Sequence, residues 1–502
     1  MTIRADIHDR LNRQAQAVPA LEKLFAQDDL RAERFTFVHE GLYADISKQH
    51  IDSEIFSSLL RLAHASGLEE KRADLFAGRI VNPTENRPAL HPALRGTGGP
   101  AELAAQLQAM RTRMRAFAEG IRDEGRIKTV IHIGIGGSDL GPKLVNEVFA
   151  VSGDPGPAIR FVSNVDGLAL NQALAGQNPE ETLIIIVSKS FTTEETLMNG
   201  QSARNWLGLH TGNLVAVTAN RAAARDFGVA PEAIFDFWDG VGGRFSLWSA
   251  VSLSVQLAFG PDLFEALLKG AHAMDMHFLK TEFENNLPVV LALLDVWNRT
   301  FLNRPARAVI PYAHALRTLP AFLQQLEMES GGKSVQMDGR PAARTAPIVF
   351  GYEGTNAQHA FFQQLHQGPD IVPVDFLAVL RDATQRPAHH KALLANCLAQ
   401  SEALMIGRAH KDPHRNFPGN RPSTTLVLDR LDAFALGQLL ALFEHKVFVA
   451  SVLWNVNAFD QFGVELGKTM ARQIARELDG APGRHDASTT ALIALAQDRA
   501  KS

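Results

Sequence analysis

Residues 183–187 form an unbroken apolar run, LIIIV, with three isoleucines. A run of β-branched residues without polar alternation predicts a strand buried on both faces, as in a parallel sheet. The run stops at Ser188-Lys189-Ser190, and Thr192, Thr193 and Thr196 follow, so five hydroxyls and one ammonium crowd nine residues. In an open α/β sheet, ligands bind beyond the C-terminal ends of the strands. The turn into the next helix offers unsatisfied N–H donors and partial positive charge. Short hydroxyl side chains add donors without bulk, and the ligand they suggest is a phosphate dianion. An N-cap followed by a Ser/Thr-rich first turn explains the same residues, so the segment alone leaves both readings open.

The surrounding pattern sets the fold class. Residues 129–145, 158–166, 182–188 and 213–220 each carry a strand-like stretch set between helical ones. A second such series begins near residue 285, with candidate strands at 306–313, 346–355 and 370–379 and a long apolar helix over 431–454. This alternation predicts an α/β protein with two doubly wound parallel-sheet domains, helices covering both faces. The expected divisions are a helical N-terminal region and loop over 1–104, α/β domains over 105–280 and 281–480, and a C-terminal helical tail over 481–502. The first hundred residues read as helical, and the Pro/Gly-rich stretch 82–100 reads as a long ordered loop or boundary whose His and Arg side chains could serve a site, with a solvated loop the preferred reading. Segments 132–145 and 349–362 echo one another as strand, glycine turn and helix, which suggests two related halves with a cleft between them.

Composition removes several function classes. A net charge of −4 over 502 residues offers no general attraction for nucleic acid or an anionic membrane. Cys397 is the only cysteine, so no intrachain disulfide forms. The N-terminus has no signal-like apolar stretch, and the most apolar segments, 287–294 and 447–454, are too short to span a bilayer. A soluble cytoplasmic protein is expected, with no membrane or nucleic-acid partner.

Two glycine motifs fail as nucleotide sites. The third glycine of a dinucleotide fingerprint starting at Gly134 falls on Asp139, and Glu327 stands where a P-loop ending at Lys333-Ser334 requires glycine. The tight turn at Gly136-Gly137-Ser138 survives as a second candidate phosphate contact. A zinc-ligand spacing is absent, so no metal is expected, and no nucleophile elbow is present either.

Four polar segments remain. Arg244 follows two glycines and suits a developing oxyanion. Glu327 and Glu329 share a face on extended backbone but diverge on a helix, and either is a candidate general base. His366 sits at a helix end seven residues after His359, with a side chain suited to proton transfer near neutral pH. Gln461 and Lys468 lie around Gly463 and Gly467. Each segment also has an ordinary structural explanation.

Taken together they resemble the glucose-6-phosphate isomerase (phosphoglucose isomerase) family. DGVGGRFSLWSAVS at 239–252 and VLWNVNAFDQFGVELGK at 452–468 look like the family's long signatures. GIGGSDLGP, SKSFTTEET, EMESGGK and GTNAQHAFFQQLHQG match further segments in order, from about residue 35 to the last helix. The resemblance implies two sugar-isomerase-type domains in a homodimer, interconverting glucose 6-phosphate and fructose 6-phosphate without metal or organic cofactor. It casts Glu329 as the base between C2 and C1, His366 (from a second copy) in ring opening, Lys468 at the ring oxygen or hydroxyls, and Arg244 on the cis-enediolate. It rests the phosphate on Ser188, Lys189, Ser190, Thr193 and Thr196 with Gly137 and Ser138 nearby, and completes the pocket with Gln325 and Gln461. Ser190, Gly331 and Phe462 stand where the family often has Thr, Asn and Trp; none removes a proton-transfer group. A non-catalytic phosphosugar-binding regulator is the competing class, and such a protein does not need Glu329, His366, Lys468 and Arg244 together. An additional secreted interaction role has no export signal to support it.

Overall fold

The structure is a computed structural model that describes residues 3–150 and 156–500. It divides into two compact units, one running to Ala458 and the other from Phe459.

Among the described residues, the first unit holds two large sheets and a small antiparallel pair, Ile80–Asn82 with Arg87–Pro88. One consists of Ala158–Val162, Thr129–Ile133, Thr182–Val187, Leu214–Thr218 and Ile234–Asp236, in that spatial order and all parallel. Every residue of Thr129–Ile133, Thr182–Val187 and Leu214–Thr218 is buried, which is why these strands are apolar without alternation. In chain order the strands lie 2-1-3-4-5. The winding therefore reverses between Thr129–Ile133 and Thr182–Val187, and the turns leaving those two strands flank a topological switch point.

The second sheet has the spatial order Thr36–His39, Leu42–Asp45, Ser423–Leu428, Val374–Val379, Ala306–Tyr312, Ile348–Gly351. Its last four strands are parallel, and the first two form an antiparallel hairpin that joins along Ser423–Leu428. The N-terminal hundred residues are thus not purely helical. Their hairpin turns on Glu40 and Gly41, both at positive φ (44° and 82°), as a tight two-residue turn with right-handed strand twist requires. Phe37, Leu42 and Ala44 are buried, while Val38 and Tyr43 are exposed.

The helix Ala433–Trp454 runs through the core and packs against Pro261–Lys280 and Leu287–Val296. It is long and apolar enough to cross a membrane, yet nearly all of it is enclosed by the protein. Two glycines let it approach Pro261–Lys280 at backbone distance: a Cβ on Gly270 would lie 1.8 Å from the Phe434 carbonyl oxygen, and one on Gly437 would lie 2.0 Å from that of Leu267.

The 82–100 stretch is also not a solvated loop. His91 and Arg95 are buried, and Arg95 forms ion pairs with Asp275 and Glu444. A buried guanidinium needs such partners to offset its desolvation.

Three buried imidazoles tie local geometry to pH. His132 lies within the first sheet, where Nε2 donates to the Ser138 carbonyl (2.6 Å) and Nδ1 meets Ser254 Oγ (2.9 Å). Burial pushes His132 down to about 4, His277 down to about 4 and His50 down to about 3. The unfolded chain takes up protons at these rings as pH falls through about 6.5, whereas the folded chain stays neutral there until pH 4 or below. Protons therefore favour unfolding across this window. Melting temperature is expected to fall between pH 6.5 and 4, with each ring contributing on the order of 1–3 kcal/mol. His132→Asn is expected to flatten that part of the curve, and an unchanged slope would count against the assignment.

The second unit contains the helices Glu465–Leu478 and Ala487–Ala500. Glu477 joins them: its carboxylate accepts from Gln473 (3.0 Å) and His485 (2.8 Å), and its carbonyl accepts from Gln497 (2.6 Å).

Candidate active site

Both turns of the switch point carry the expected residues. After Thr182–Val187 the chain enters a loop whose carbonyls face the protein. The Ser188 oxygen accepts from the Phe191 N–H (3.2 Å), that of Lys189 from the Ala219 N–H (2.9 Å), and that of Ser190 from the Asn220 side chain (3.3 Å). Phe191 holds a left-handed backbone (φ 54°) while its ring is buried against Phe227. Burying a phenylalanine contributes about 1.5–3 kcal/mol, enough to offset a left-handed residue at about 1–2 kcal/mol. The result is a hydroxyl-lined rim. Ser190 Oγ and Thr192 Oγ1 lie 2.6 Å apart in the open, and Ser188 Oγ lies 3.4 Å from Thr193 Oγ1. Thr193 is the N-cap residue of the helix Glu194–Leu207 without using its side chain as the cap. Thr196 Oγ1 is buried with no hydrogen-bond partner among the described residues.

Lys189 turns elsewhere. Its Nζ donates to the carbonyls of Asp239 (2.7 Å) and Val241 (3.0 Å), and burial lowers its pKa. It thereby ties the hydroxyl loop to the segment that carries Arg244.

The glycine turn after Thr129–Ile133 is pressed against the same segment. Gly136 sits at φ 60°, and a Cβ there would come 2.9 Å from Gln325 Nε2. A Cβ on Gly137 would lie 2.0 Å from the Gly243 carbonyl oxygen and 2.5 Å from the Arg244 nitrogen. Only a residue without a side chain allows this approach, so Gly137 lies against the Gly243–Arg244 backbone and Gly136 against Gln325.

Arg244 itself is buried and held from several directions. Nε donates to Ser330 Oγ (2.6 Å), Nη2 to the Ala458 carbonyl (2.5 Å), and Nη1 lies 3.5 Å from Glu329 Oε2. Glu329 ends a π-helical turn, Gln324–Glu329. Because this turn is helical, Glu327 and Glu329 diverge. Glu327 points into the core, where Arg307 Nη2 (2.5 Å) and Lys446 Nζ (3.3 Å) bind it. Glu329 stays about one-fifth exposed beside Arg244. Of the two candidate bases, only Glu329 can meet a substrate. Ser330, directly after Glu329, is a residue the sequence does not point to, and its hydroxyl holds the Arg244 guanidinium beside Glu329.

One remaining candidate of the first unit, His366, is not gathered here. His366 ends the short helix Phe362–Gln367, with Nε2 2.9 Å from Gln400 Oε1 and its ring against Phe417. Among the described residues, none of its hydrogen bonds or ring contacts involves Arg244 or Glu329. Gln461 and Lys468 belong to the second unit, Lys468 exposed on the first turn of Glu465–Leu478.

Comparison with known proteins bears on this arrangement. The family model described as phosphoglucose isomerase matches residues 45–493. Glucose-6-phosphate isomerase of Burkholderia cenocepacia is 49% identical over 498 residues, covering 93% of this chain and 92% of that protein. That of Paraburkholderia phytofirmans is 48% identical over 499 residues with the same coverage. The crystal structure of a glucose-6-phosphate isomerase from Chlamydia trachomatis superposes with a TM-score of 0.89 at 34% identity, covering 99% of both chains. With sequence, fold and the order of its polar segments all agreeing along nearly the whole length, the chain belongs to the phosphoglucose isomerase family.

Proposed function

We propose that the protein interconverts glucose 6-phosphate and fructose 6-phosphate, with Glu329 moving a proton between C2 and C1. The observation that carries this reading is the Arg244–Glu329 pair, 3.5 Å apart, beside a hydroxyl-lined turn at a switch point. The chemistry follows from the groups. The C2 proton is weakly acidic, so a carboxylate base needs close placement and the enediolate needs a fixed cation. Arg244 meets that need without having to reorganise, because Ser330 and the Ala458 carbonyl already hold it. The phosphate takes no part in bond making. Its binding energy positions the reacting carbons, and Ser188, Ser190, Thr193 and the unpartnered Thr196 hydroxyl are its proposed donors, with Gly137 and Ser138 at the facing turn. Lys189 contributes positive charge and ties the loop in place. Gln325 and Gln461 are assigned to the sugar hydroxyls, Lys468 to the ring oxygen and His366 to ring opening. His366 reaches the site from a second copy of the chain, which makes a homodimer the working form. No metal or organic cofactor is assigned, and the proposed compartment is the cytoplasm.

The test is a coupled assay of glucose 6-phosphate formed from fructose 6-phosphate, run with and without a chelator. Turnover in both is expected, and no turnover in either rejects the reading. Ser188→Ala and Thr196→Ala are expected to raise KM for fructose 6-phosphate about 5- to 30-fold each while kcat changes less. That range corresponds to about 1–2 kcal/mol for a lost hydrogen bond to a charged group. Unchanged KM in both variants would move the phosphate elsewhere.

A further inference from the structure

Among the side chains of the core helix Ala433–Trp454, only Glu444, His445 and Lys446 are ionisable, and all three are buried. Successive residues on an α-helix are turned by about 100°, so Glu444 and Lys446 project to opposite sides. Each ends on a different segment of the active site. Glu444 Oε1 accepts from Trp248 Nε1 (2.8 Å), and Trp248 stands four residues after Arg244. Lys446 Nζ contacts Glu327 Oε1 (3.3 Å), two residues before Glu329 in the same π-helical turn.

Both links are braced from behind. Arg95 binds the other Glu444 oxygen and Asp275, and His445 Nε2 lies 2.6 Å from Asp275 Oδ1. Arg307 binds Asp295 (2.5 Å) and Glu327 (2.5 Å), with Asp375 at 3.1 Å, and Lys446 binds Asp295 at 2.7 Å. Two cations thus grip Glu327 and Asp295 jointly.

Stability alone does not call for these charges. Buried ion pairs are often matched or exceeded by well-packed apolar residues of the same volume. A proton-transfer site does call for fixed geometry, since a displacement of about 1 Å can cost about 10²-fold in rate. We propose that Glu444 and Lys446 are positioning residues for the isomerisation: from opposite sides of one buried helix they set where Arg244 and Glu329 stand relative to each other. The proposal rests on Glu329 as the base.

The experiment uses the full chain and two variants. Glu327→Gln/Lys446→Met removes one charge of each sign and leaves Arg307 paired with Asp295. Trp248→Phe releases the link at the other end. Binding sites are counted by calorimetry with a hexitol 6-phosphate, which carries the phosphate and hydroxyls but has no carbonyl to isomerise. Each variant is expected to bind one hexitol 6-phosphate per chain with affinity within about threefold of the parent. Turnover of fructose 6-phosphate per titrated site is expected to fall about 10- to 100-fold. Where the double variant does not fold, Trp248→Phe carries the test.

Parental turnover per titrated site in the folded variants overturns the proposal. So does a fall in rate fully explained by lost binding sites, which is what a purely structural role produces. Glu329→Gln run in parallel separates the two inferences. If it stays active, the base assignment fails. If it is inactive while the other variants run at the parental rate, only the positioning fails.

Discussion

Glu329→Gln is expected to lower kcat at least about 10²- to 10⁴-fold while a hexitol 6-phosphate still binds within a few-fold of its parental affinity. The amide keeps the shape of the carboxylate but cannot take the proton, and a positioned general base is worth about this much. Binding is expected to survive because the proposed phosphate donors sit on other segments, the loop after Thr182–Val187 and the glycine turn at Gly136–Gly137. The measurement is turnover in the coupled assay, together with exchange of the C2 proton of glucose 6-phosphate into deuterated water followed by NMR. Both are expected to be lost together, since one transfer underlies them. Turnover within tenfold of the parent would remove Glu329 from the chemistry. Glu327→Gln alone is expected to fall short of this loss, at most about 100-fold, because Glu327 faces Arg307 and Lys446 in the core and acts only through the placement of Glu329.

The contrast between these two glutamates marks how far the sequence could be read. Strands buried on both faces announce themselves, as 182–187 does, because their apolar runs have no other use. The hairpin Thr36–Asp45 was hidden: each strand is four residues long and only half-buried, so alternation has no room to stand out from a helical neighbourhood. The strand Ser423–Leu428 begins Ser-Thr-Thr and was likewise missed, its burial imposed by neighbours on either side in the sheet. The π-helical turn has no period a sequence displays, yet it decides which glutamate meets solvent. Arg95, Glu444 and Lys446 were illegible for a different reason. Charged residues signal a surface unless their partners are known, and the partner carboxylate of Arg95 in Glu444 lies 349 positions away. The candidate site turns were legible through glycines and hydroxyls, where local chemistry is unusual for its setting. The core that holds them in place was not.

Arg244→Met is expected to lower kcat/KM for fructose 6-phosphate by about 10²- to 10³-fold, the loss of about 2.7–4 kcal/mol of transition-state stabilisation typical of a missing oxyanion partner. Methionine matches much of the apolar stem but carries no charge, so the enediolate faces no fixed cation and Glu329 loses its neighbour at 3.5 Å. Arg244→Lys restores the charge without the fork. A lysine cannot donate along the plane to Ser330 Oγ, the Ala458 carbonyl and Glu329 at once. Its kcat/KM is therefore expected to fall between those of the parent and the methionine variant, with the deficit mainly in kcat. The order parent, lysine, methionine is the discriminating result. If lysine matched the parent, charge alone would suffice and the clamp by Ser330 would be incidental; Ser330→Ala, which keeps the arginine and removes only that clamp, would then also run at the parental rate. If lysine were as poor as methionine, geometry would dominate over charge, and Ser330→Ala is expected to lose about 3- to 10-fold through a less constrained guanidinium.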